Sequence, residues 1–232
     1  MVSSRKNQDQ GRVYAVTASW RTIDEKLVEA IGNDLVPVID KENNAVFRFG
    51  GALGGDWIGT DIVLRRANPN KQLEIFLPTP LKIYLEYYKR RVEEGEITSH
   101  QYNMLEEQLG YVKQLFPNAI TESRSFTEVT QQSYFARNKR VIRGDSKHKP
   151  IDVLFAYQVN DSEGVWQAYQ EALRRDVLEV HLRRPKIKET KKNQSHKILD
   201  YALNGFSLNE PINILETYPL LRDSGNLDIT LP

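Results

Sequence analysis

The 232-residue sequence contains no cysteine. This absence excludes a disulfide-stapled secreted module, a zinc site built on thiolates, and any mechanism with a cysteine nucleophile or a thiol redox couple. No stretch approaches the ~18 consecutive apolar residues that a membrane-spanning helix needs. The opening residues, MVSSRKNQDQGR, are polar and lack the apolar core of a secretory signal. We therefore expect a cytoplasmic protein that has no membrane partner.

Several chemical signatures are also missing. None of the four histidines (His100, His148, His181 and His196) has metal-ligand spacing to another, so no metal site is predicted. There is no GxSxG elbow of a serine hydrolase, no GxxxxGK[ST] phosphate loop and no GxGxxG dinucleotide fingerprint. No catalytic residue and no cofactor is assigned from the sequence.

The charges nearly cancel, with 32 Lys+Arg against 31 Asp+Glu and a net charge of +1. They are nevertheless segregated along the chain. Segments 137–149 and 183–197 carry net charges of +5 and +6, so the remainder carries −10. Each basic segment is either a solvated surface or a surface that contacts phosphates.

Short apolar runs alternate with segments of helical periodicity between residues 12 and 184. Because these runs are apolar throughout rather than two-faced, they predict strands that are buried on both sides. The predicted fold is α/β, a Rossmann-like doubly wound and mostly parallel sheet with helices on both faces. The predicted strands are Val13–Thr17, Ala45–Phe49, Leu73–Leu77, Ala119–Thr121, Ile151–Gln158 and Val177–Leu182.

The helical segments have recognisable boundaries. Thr22 and Glu25 form a capping box for the first helix, which Pro37 is expected to end or kink. Two helices separated near Gly95 form a helical insertion over about 84–116. The other predicted helices are Trp57–Ala67, 125–142 and Val165–Arg175. The predicted flanking regions are a flexible tail over 1–11 and a basic linker with a C-terminal tail over 185–232.

Small and polar residues follow the predicted strands, where ligands bind in an open α/β sheet. Glycines let the backbone approach a phosphate, and a helix N-terminus supplies free N–H groups. Asp56 is expected either to cap its helix or to accept from a ribose hydroxyl. The residues predicted to hold a nucleotide or phosphate in these loops are Ser19, Gly50, Gly51, Gly54, Asp56, Thr79, Ser162, Glu163 and Gly164.

The basic segment FARNKRVIRG, residues Phe135–Gly144, adds a second candidate surface. Arg137 and Asn138 are predicted to contact a phosphate or a base. The residues predicted to extend this contact along a DNA strand are Lys139, Arg140, Arg143 and Lys147. A solvated helix face remains the alternative interpretation.

Three motifs, taken in order, resemble those of the SLOG superfamily of Rossmann-like domains. Val16–Arg21 (VTASWR) is similar to its VGSR-like loop, and Phe49–Asp56 (FGGALGGD) to its SGGARGID-like loop. Phe135–Gly144 (FARNKRVIRG) resembles its FxxRNRxIxG motif. The likeness is closest to the DNA-processing protein DprA/Smf, although Leu53 stands in place of the family's motif arginine.

The resemblance to the LOG phosphoribohydrolases of the same superfamily is more distant. Their PGGxGTxxE loop carries a glutamate that supports N-glycosidic cleavage. Gln167 falls at that position here, and an amide cannot act as a general base. Arg137 matches the arginine that both branches retain.

The resemblance implies a non-catalytic protein that binds a nucleotide or single-stranded DNA, with phosphate held at the glycine-rich loops. Two alternatives stay open: a LOG-like nucleotide N-glycosidase, and a SLOG-type sensor of a signalling nucleotide. A homodimer that uses Tyr84, Tyr87 and Tyr88 is a further expectation.

Overall fold

A computed structural model describes residues 11–20, 22–159 and 161–185. Its six strands form one sheet in which every pairing is parallel, in the order β4-β3-β2-β1-β5-β6. This arrangement confirms the predicted Rossmann-like, doubly wound α/β fold. The strands are β1 (Val13–Ala18), β2 (Val46–Phe49), β3 (Leu73–Leu77), β4 (Ile120–Glu122), β5 (Val153–Tyr157) and β6 (Glu179–Arg183).

Helices connect the successive strands, as parallel pairing requires. A short turn of 3-10 helix, Pro117–Ala119, precedes β4. The helices are α1 (Glu25–Lys41), α2 (Gly55–Arg66), α3 (Pro69–Gln72), α4 (Leu81–Glu93), α5 (Ser99–Leu115), α6 (Gln131–Arg143) and α7 (Glu163–Arg174).

Both faces of the sheet are covered, which explains why the strands are apolar throughout. On one face, Ala15 of β1 lies in a core cluster with Val141 of α6 and Val165 of α7. On the other face, the Tyr14 hydroxyl donates to Glu42 at the end of α1, at 2.7 Å. Alternate side chains of β1 therefore reach opposite helical layers.

The order of the strands reverses at the centre of the sheet. From β1 the chain moves outward through β2 and β3 to β4, and then returns to place β5 on the other side of β1. The crossovers that leave the carboxyl ends of β1 and β5 pass through α1 and α7 on opposite faces of the sheet, which opens a crevice between these two strand ends. Ligands of open α/β sheets bind at such a crevice.

The first helix differs from its prediction at both ends. Asp24 caps α1 by accepting from the Lys26 N–H at 2.9 Å, so the predicted Thr22 capping box does not form. The helix also runs through Pro37, which does not end it. Leu35 and Ile39 are buried on either side of the proline. Burial of two such side chains, each contributing about 1.5–3 kcal/mol, offsets the ~3 kcal/mol cost of a proline in a helix.

The helical segment between β3 and β4 is the antiparallel pair α4 and α5, packed against α2. The Trp57 indole of α2 donates to the Met104 carbonyl at 3.1 Å, and Gln108 donates to the Trp57 carbonyl at 3.1 Å. Tyr84 and Tyr88 of α4 are fully buried, so they do not offer the surface expected for a dimer contact.

Parts of the predicted organisation lie outside the described residues. These are the flexible tail before Gly11 and the basic linker and C-terminal tail after Pro185. Within the described ranges, no helix is long and apolar enough to cross a membrane.

Candidate functional site

A cavity of about 660 Å³ opens at the crevice between β1 and β5. Thr17 and Ser19 at the end of β1 form part of its wall, and Val159 after β5 forms another. The N-terminal turns of α6 and α7, the glycine loop before α2, and α4 complete it. The cavity therefore lies where the topology of the sheet favours a ligand.

The N-terminus of α7 faces this cavity. Ser162 is the N-cap residue, and its side chain makes no capping hydrogen bond. Ser162, Glu163, Gly164 and Val165 all line the cavity. The first N–H groups of a helix lack intrahelical acceptors and carry a partial positive charge, so this end of α7 is suited to an anion.

Ser19, which follows β1, is hydrogen-bonded to the chain at the end of β5 in the cavity wall. Its hydroxyl donates to the Val159 carbonyl at 2.7 Å and accepts from the Val159 N–H at 2.8 Å. Its own N–H donates to the Tyr157 carbonyl at 3.2 Å. Ser19 was predicted to contact phosphate, and in the structure its hydroxyl holds the chain after β5 in place.

The glycine loop folds around the Asp56 carboxylate. Oδ2 of Asp56 accepts from the Gly50 N–H at 3.1 Å and from the Ala52 N–H at 3.3 Å. Gly51 and Gly54 have φ values of +67° and +82°, a conformation that favours glycine. Gly54 is the N-cap of α2, so Asp56 does not cap that helix and instead organises the loop before it.

Arg137 of α6 reaches across to the same carboxylate. Its Nη1 lies 3.3 Å from Asp56 Oδ2, and both side chains are buried. Its guanidinium also lies over the Tyr134 ring, 5.3 Å from the centroid. A Cβ at Gly50 would sit 1.2 Å from Nη1, so the absence of a side chain there admits Arg137.

The electrostatics of this pair fix a charge beside the cavity. Burial raises the pKa of Asp56, against the opposing effects of Arg137 and the two backbone N–H groups. Burial acts to lower the pKa of Arg137, but attraction to Asp56 opposes this effect and the pKa is raised. The guanidinium therefore stays protonated. Its Nε is buried and has no hydrogen-bond partner in the part of the chain that the structure describes.

An aromatic cluster lies next to Arg137 and reaches the cavity wall at Tyr134. Tyr84, Tyr88 and Tyr134 meet edge to face, and burial raises the pKa of all three phenols. They are therefore neutral hydrogen-bonding groups at neutral pH. Tyr87 and Trp20 line the cavity beside Tyr134, which gives it flat apolar surfaces.

Arg91 is a cavity residue that the sequence analysis did not identify. Its Nη2 donates to the Tyr87 hydroxyl at 2.7 Å, and its guanidinium lies 4.8 Å from the Tyr87 centroid. Its Nη1 donates to Glu94 and Glu96 at 3.1 and 2.6 Å. Helical periodicity marks α4 as core cover and gives no signal that its last turn reaches the crevice.

Asn138 and Glu163 connect the two helix ends that flank the cavity. The Asn138 amide donates to the Gly164 carbonyl at 3.3 Å and to Gln167 Oε1 at 3.1 Å. Gln131 at the start of α6 donates to Glu163 at 3.1 Å. These contacts set the position of α7, so Gln167, at the expected position of the LOG glutamate, serves as an acceptor for Asn138.

The basic segment Phe135–Gly144 lines the cavity only as far as Asn138. Helix α6 starts at the cavity and runs toward the amino edge of the sheet, where β5 begins. Arg140 donates to Asp145 at 3.0 Å and Arg143 to Glu171 at 2.5 Å, so both have carboxylate partners. The residues predicted to contact DNA are Lys139, Arg140, Arg143 and Lys147. All of them except Arg140 are exposed.

The remaining predicted residues are not part of the cavity lining. Gly50, Gly51 and Gly54 shape the loop around Asp56 without lining the cavity. Thr79 is fully buried and its hydroxyl donates to the Pro80 carbonyl at 3.4 Å. Among the described residues, no group of His, Asp and Glu side chains could hold a metal ion.

Comparison with known proteins found no match: no family model matches the chain, and no curated protein matches it.

Proposed function

We propose that this protein binds a nucleotide in the β1/β5 cavity, with the phosphate at the N-terminus of α7. The observation that carries the proposal is the uncapped start of α7 and the buried Arg137, which share one cavity at the reversal of strand order. Either feature alone is common in folded proteins. Together they give one cavity a set of directed N–H donors and a guanidinium that Asp56 holds in place.

The phosphate-binding step depends on charge and geometry. The N–H groups of the first turn of α7 would donate to phosphate oxygens, and the helix dipole would add to the attraction. Arg137 lines the same cavity, so its guanidinium would attract the phosphate from the side of α6. Asp56 would hold the guanidinium in position.

The base-binding step depends on the aromatic wall. Trp20, Tyr87 and Tyr134 line the cavity and would offer ring faces or edges to a purine or pyrimidine. Stacking of a base on an aromatic side chain contributes about 1–3 kcal/mol and tolerates every base. The wall therefore supports affinity for a nucleotide without specifying which base it carries.

A mononucleotide fits the observations better than a long DNA strand does. The cavity volume of about 660 Å³ lies in the range of small-ligand sites. Arg140 and Arg143 do not line the cavity and already have carboxylate partners. The proposal keeps the expected kinship with SLOG-type, DprA/Smf-like binding proteins and narrows the ligand to a free nucleotide.

The test is a calorimetric titration of the full chain with AMP, GMP, CMP and UMP, with the corresponding nucleosides, and with single-stranded DNA. We expect at least one monophosphate to bind at least about tenfold more tightly than its nucleoside, a difference of about 1.4 kcal/mol. Binding of a single phosphate predicts a shallow dependence on salt, whereas a DNA strand with many phosphate contacts predicts a steep one.

Two outcomes would favour the alternatives. If only DNA binds, and with a steep salt dependence, the protein is a DNA-binding protein and the free-nucleotide proposal is wrong. If chromatography after the titration detects free base, the protein cleaves the N-glycosidic bond and the LOG-like enzyme is the better description. If none of the four monophosphates, their nucleosides or the DNA binds, the proposed mononucleotide site is wrong.

A further inference from the structure

The strand β6 forms one edge of the sheet, and no described strand pairs with its outer side. It is five residues long, whereas β4 at the opposite edge has three. Natural proteins shorten, cover or interrupt exposed edges because the free N–H and C=O groups attract other strands. Edge β6 contains no proline and no bulge among its paired residues.

The hydrogen-bonding pattern identifies which backbone groups face outward. The Glu179 N–H donates to the Asp152 carbonyl at 3.2 Å, and the Arg183 carbonyl accepts from the Gln158 N–H at 2.9 Å. Polar groups of successive residues in a strand point to alternate sides. Val180 and Leu182 therefore direct their N–H and C=O groups away from β5.

The sequence of β6, EVHLR, is complementary to itself when reversed. In an antiparallel pair of two copies centred on His181, Glu179 stands opposite Arg183 of the second copy. Val180 then stands opposite Leu182, and the outward N–H and C=O groups of these two residues bond to each other across the interface. Shifting the register by one residue pair removes both opposite-charge pairs.

The charges at the two ends of β6 are accessible for such pairing. The Glu179 and Arg183 side chains are 46% and 49% exposed. In their own chain, Glu179 contacts Arg12 and His181, and Arg183 contacts Asp34. Opposite charges directly across an antiparallel pair are stabilising, and like charges are destabilising.

The helix beside this edge has a matching apolar pattern. Helix α7 packs on β5 and β6, and it exposes Trp166 near its start and Leu173 near its end. Twelve helical residues span about 18 Å and five strand residues about 17 Å, so the two elements are nearly equal in length. A two-fold axis through the centre of β6 would therefore bring Trp166 of one copy toward Leu173 of the other.

We infer that this chain forms a symmetric dimer through antiparallel pairing of β6 with β6 of a second copy. The result is one continuous sheet of twelve strands. The interface is isologous, because the same residues contribute from both sides. This surface is distinct from the cavity, and the inference does not depend on the ligand.

The test is sedimentation equilibrium of the full chain, wild type and with single charge reversals. Glu179→Arg places Arg opposite Arg183, and Arg183→Glu places Glu opposite Glu179. Each reversal creates two like-charge pairs in a dimer. We therefore expect the dimer dissociation constant of each variant to be at least about tenfold higher than that of the wild type. An equimolar mixture of the two variants restores both opposite-charge pairs, so we expect it to form a heterodimer.

A backbone variant provides an independent measurement. Val180→Pro removes an N–H that faces outward, a position where edge strands tolerate proline, so we expect a folded monomer by circular dichroism and sedimentation. Val180→Thr retains the N–H and is expected to dimerise. A wild-type monomer at all concentrations would overturn the inference. So would unchanged association in Val180→Pro, or a mixture of the charge variants that associates no better than either alone.

Discussion

Nη1 of Arg137 lies 3.3 Å from Oδ2 of Asp56, and both side chains are buried at the wall of the cavity. The two residues are 81 positions apart in the chain. Their contact joins the glycine loop before α2 to the helix α6, so it fixes the shape of the cavity as well as its charge. Several predictions about stability and binding depend on this contact.

The pair predicts strong coupling between Arg137 and Asp56. Removing one partner leaves the other charge buried and unpaired, which costs about 3–5 kcal/mol. We expect Arg137→Ala and Asp56→Ala each to lower the free energy of unfolding by this amount, measured by urea denaturation. The double variant should lose much less than the sum of the two. Additive losses would show that the pair is not coupled.

The glycine loop predicts that Gly50 cannot accept a side chain. A Cβ there would lie 1.2 Å from Arg137 Nη1 and 2.8 Å from Asp56 Oδ2. We expect Gly50→Ala to reduce stability by about 1–3 kcal/mol in thermal or urea unfolding, because the ion pair must move apart.

Gly164→Ala is the matched control for this variant. Its Cβ would meet only Asn138 Nδ2, at the ordinary contact distance of 3.9 Å, and the position is helical. We expect its stability to equal or exceed that of the wild type by up to ~1 kcal/mol. Equal losses in the two variants would contradict the close approach of Arg137 to the loop.

The contact between Glu171 and Arg143 predicts a dependence of stability on pH. The hydrogen bond from Arg143 lowers the pKa of Glu171, and Arg175 acts in the same direction. A carboxylate whose pKa is lower in the folded state stabilises the fold above its unfolded pKa of about 4.3. That contribution is lost as the pH falls through the folded pKa.

The measurement is the melting temperature of the wild type and of Glu171→Gln between about pH 3 and pH 7. We expect the wild type to be more stable at pH 7 and the difference to shrink as the solution is acidified. Two curves that stay parallel over the whole range would mean that Glu171 has no depressed pKa.

Much of the fold follows from the sequence, and the physical reason is burial. The apolar runs at β1 and β5 are predicted within two residues because strands covered on both faces have continuous apolar composition. The four-residue α3 is missed because it is too short for helical periodicity. Pro37 does not end α1, because the rule against proline in a helix does not include the burial of Leu35 and Ile39 around it.

The site is less predictable because it depends on contacts between distant segments. Arg137 and the start of α7 are found from motif position and from the rule for strand ends. The ion pair between Arg137 and Asp56 cannot be predicted in this way, since 81 positions separate the two residues. The sequence around Arg91 does not indicate that this residue lines the cavity. The basic run suggests a DNA surface because sequence spacing does not reveal that α6 turns away from the cavity.

The position of the phosphate can be tested with two substitutions of one residue, Ser162. Asp and Asn are both good N-cap residues, so Ser162→Asp and Ser162→Asn should both keep or strengthen α7. Only Asp adds a negative charge at the proposed phosphate site. Lys147→Ala, at an exposed residue beyond the end of α6, serves as the control for a remote charge change.

The decisive measurement is the calorimetric affinity of these variants for AMP, GMP, CMP and UMP and for their nucleosides. We predict that Ser162→Asp binds the preferred monophosphate at least about tenfold more weakly than Ser162→Asn, a difference of about 1.4 kcal/mol. We also predict that the Asp and Asn variants bind nucleosides with equal affinity, and that Lys147→Ala binds the monophosphate as tightly as the wild type does. Equal monophosphate affinities in the Asp and Asn variants would contradict binding of the phosphate at the N-terminus of α7.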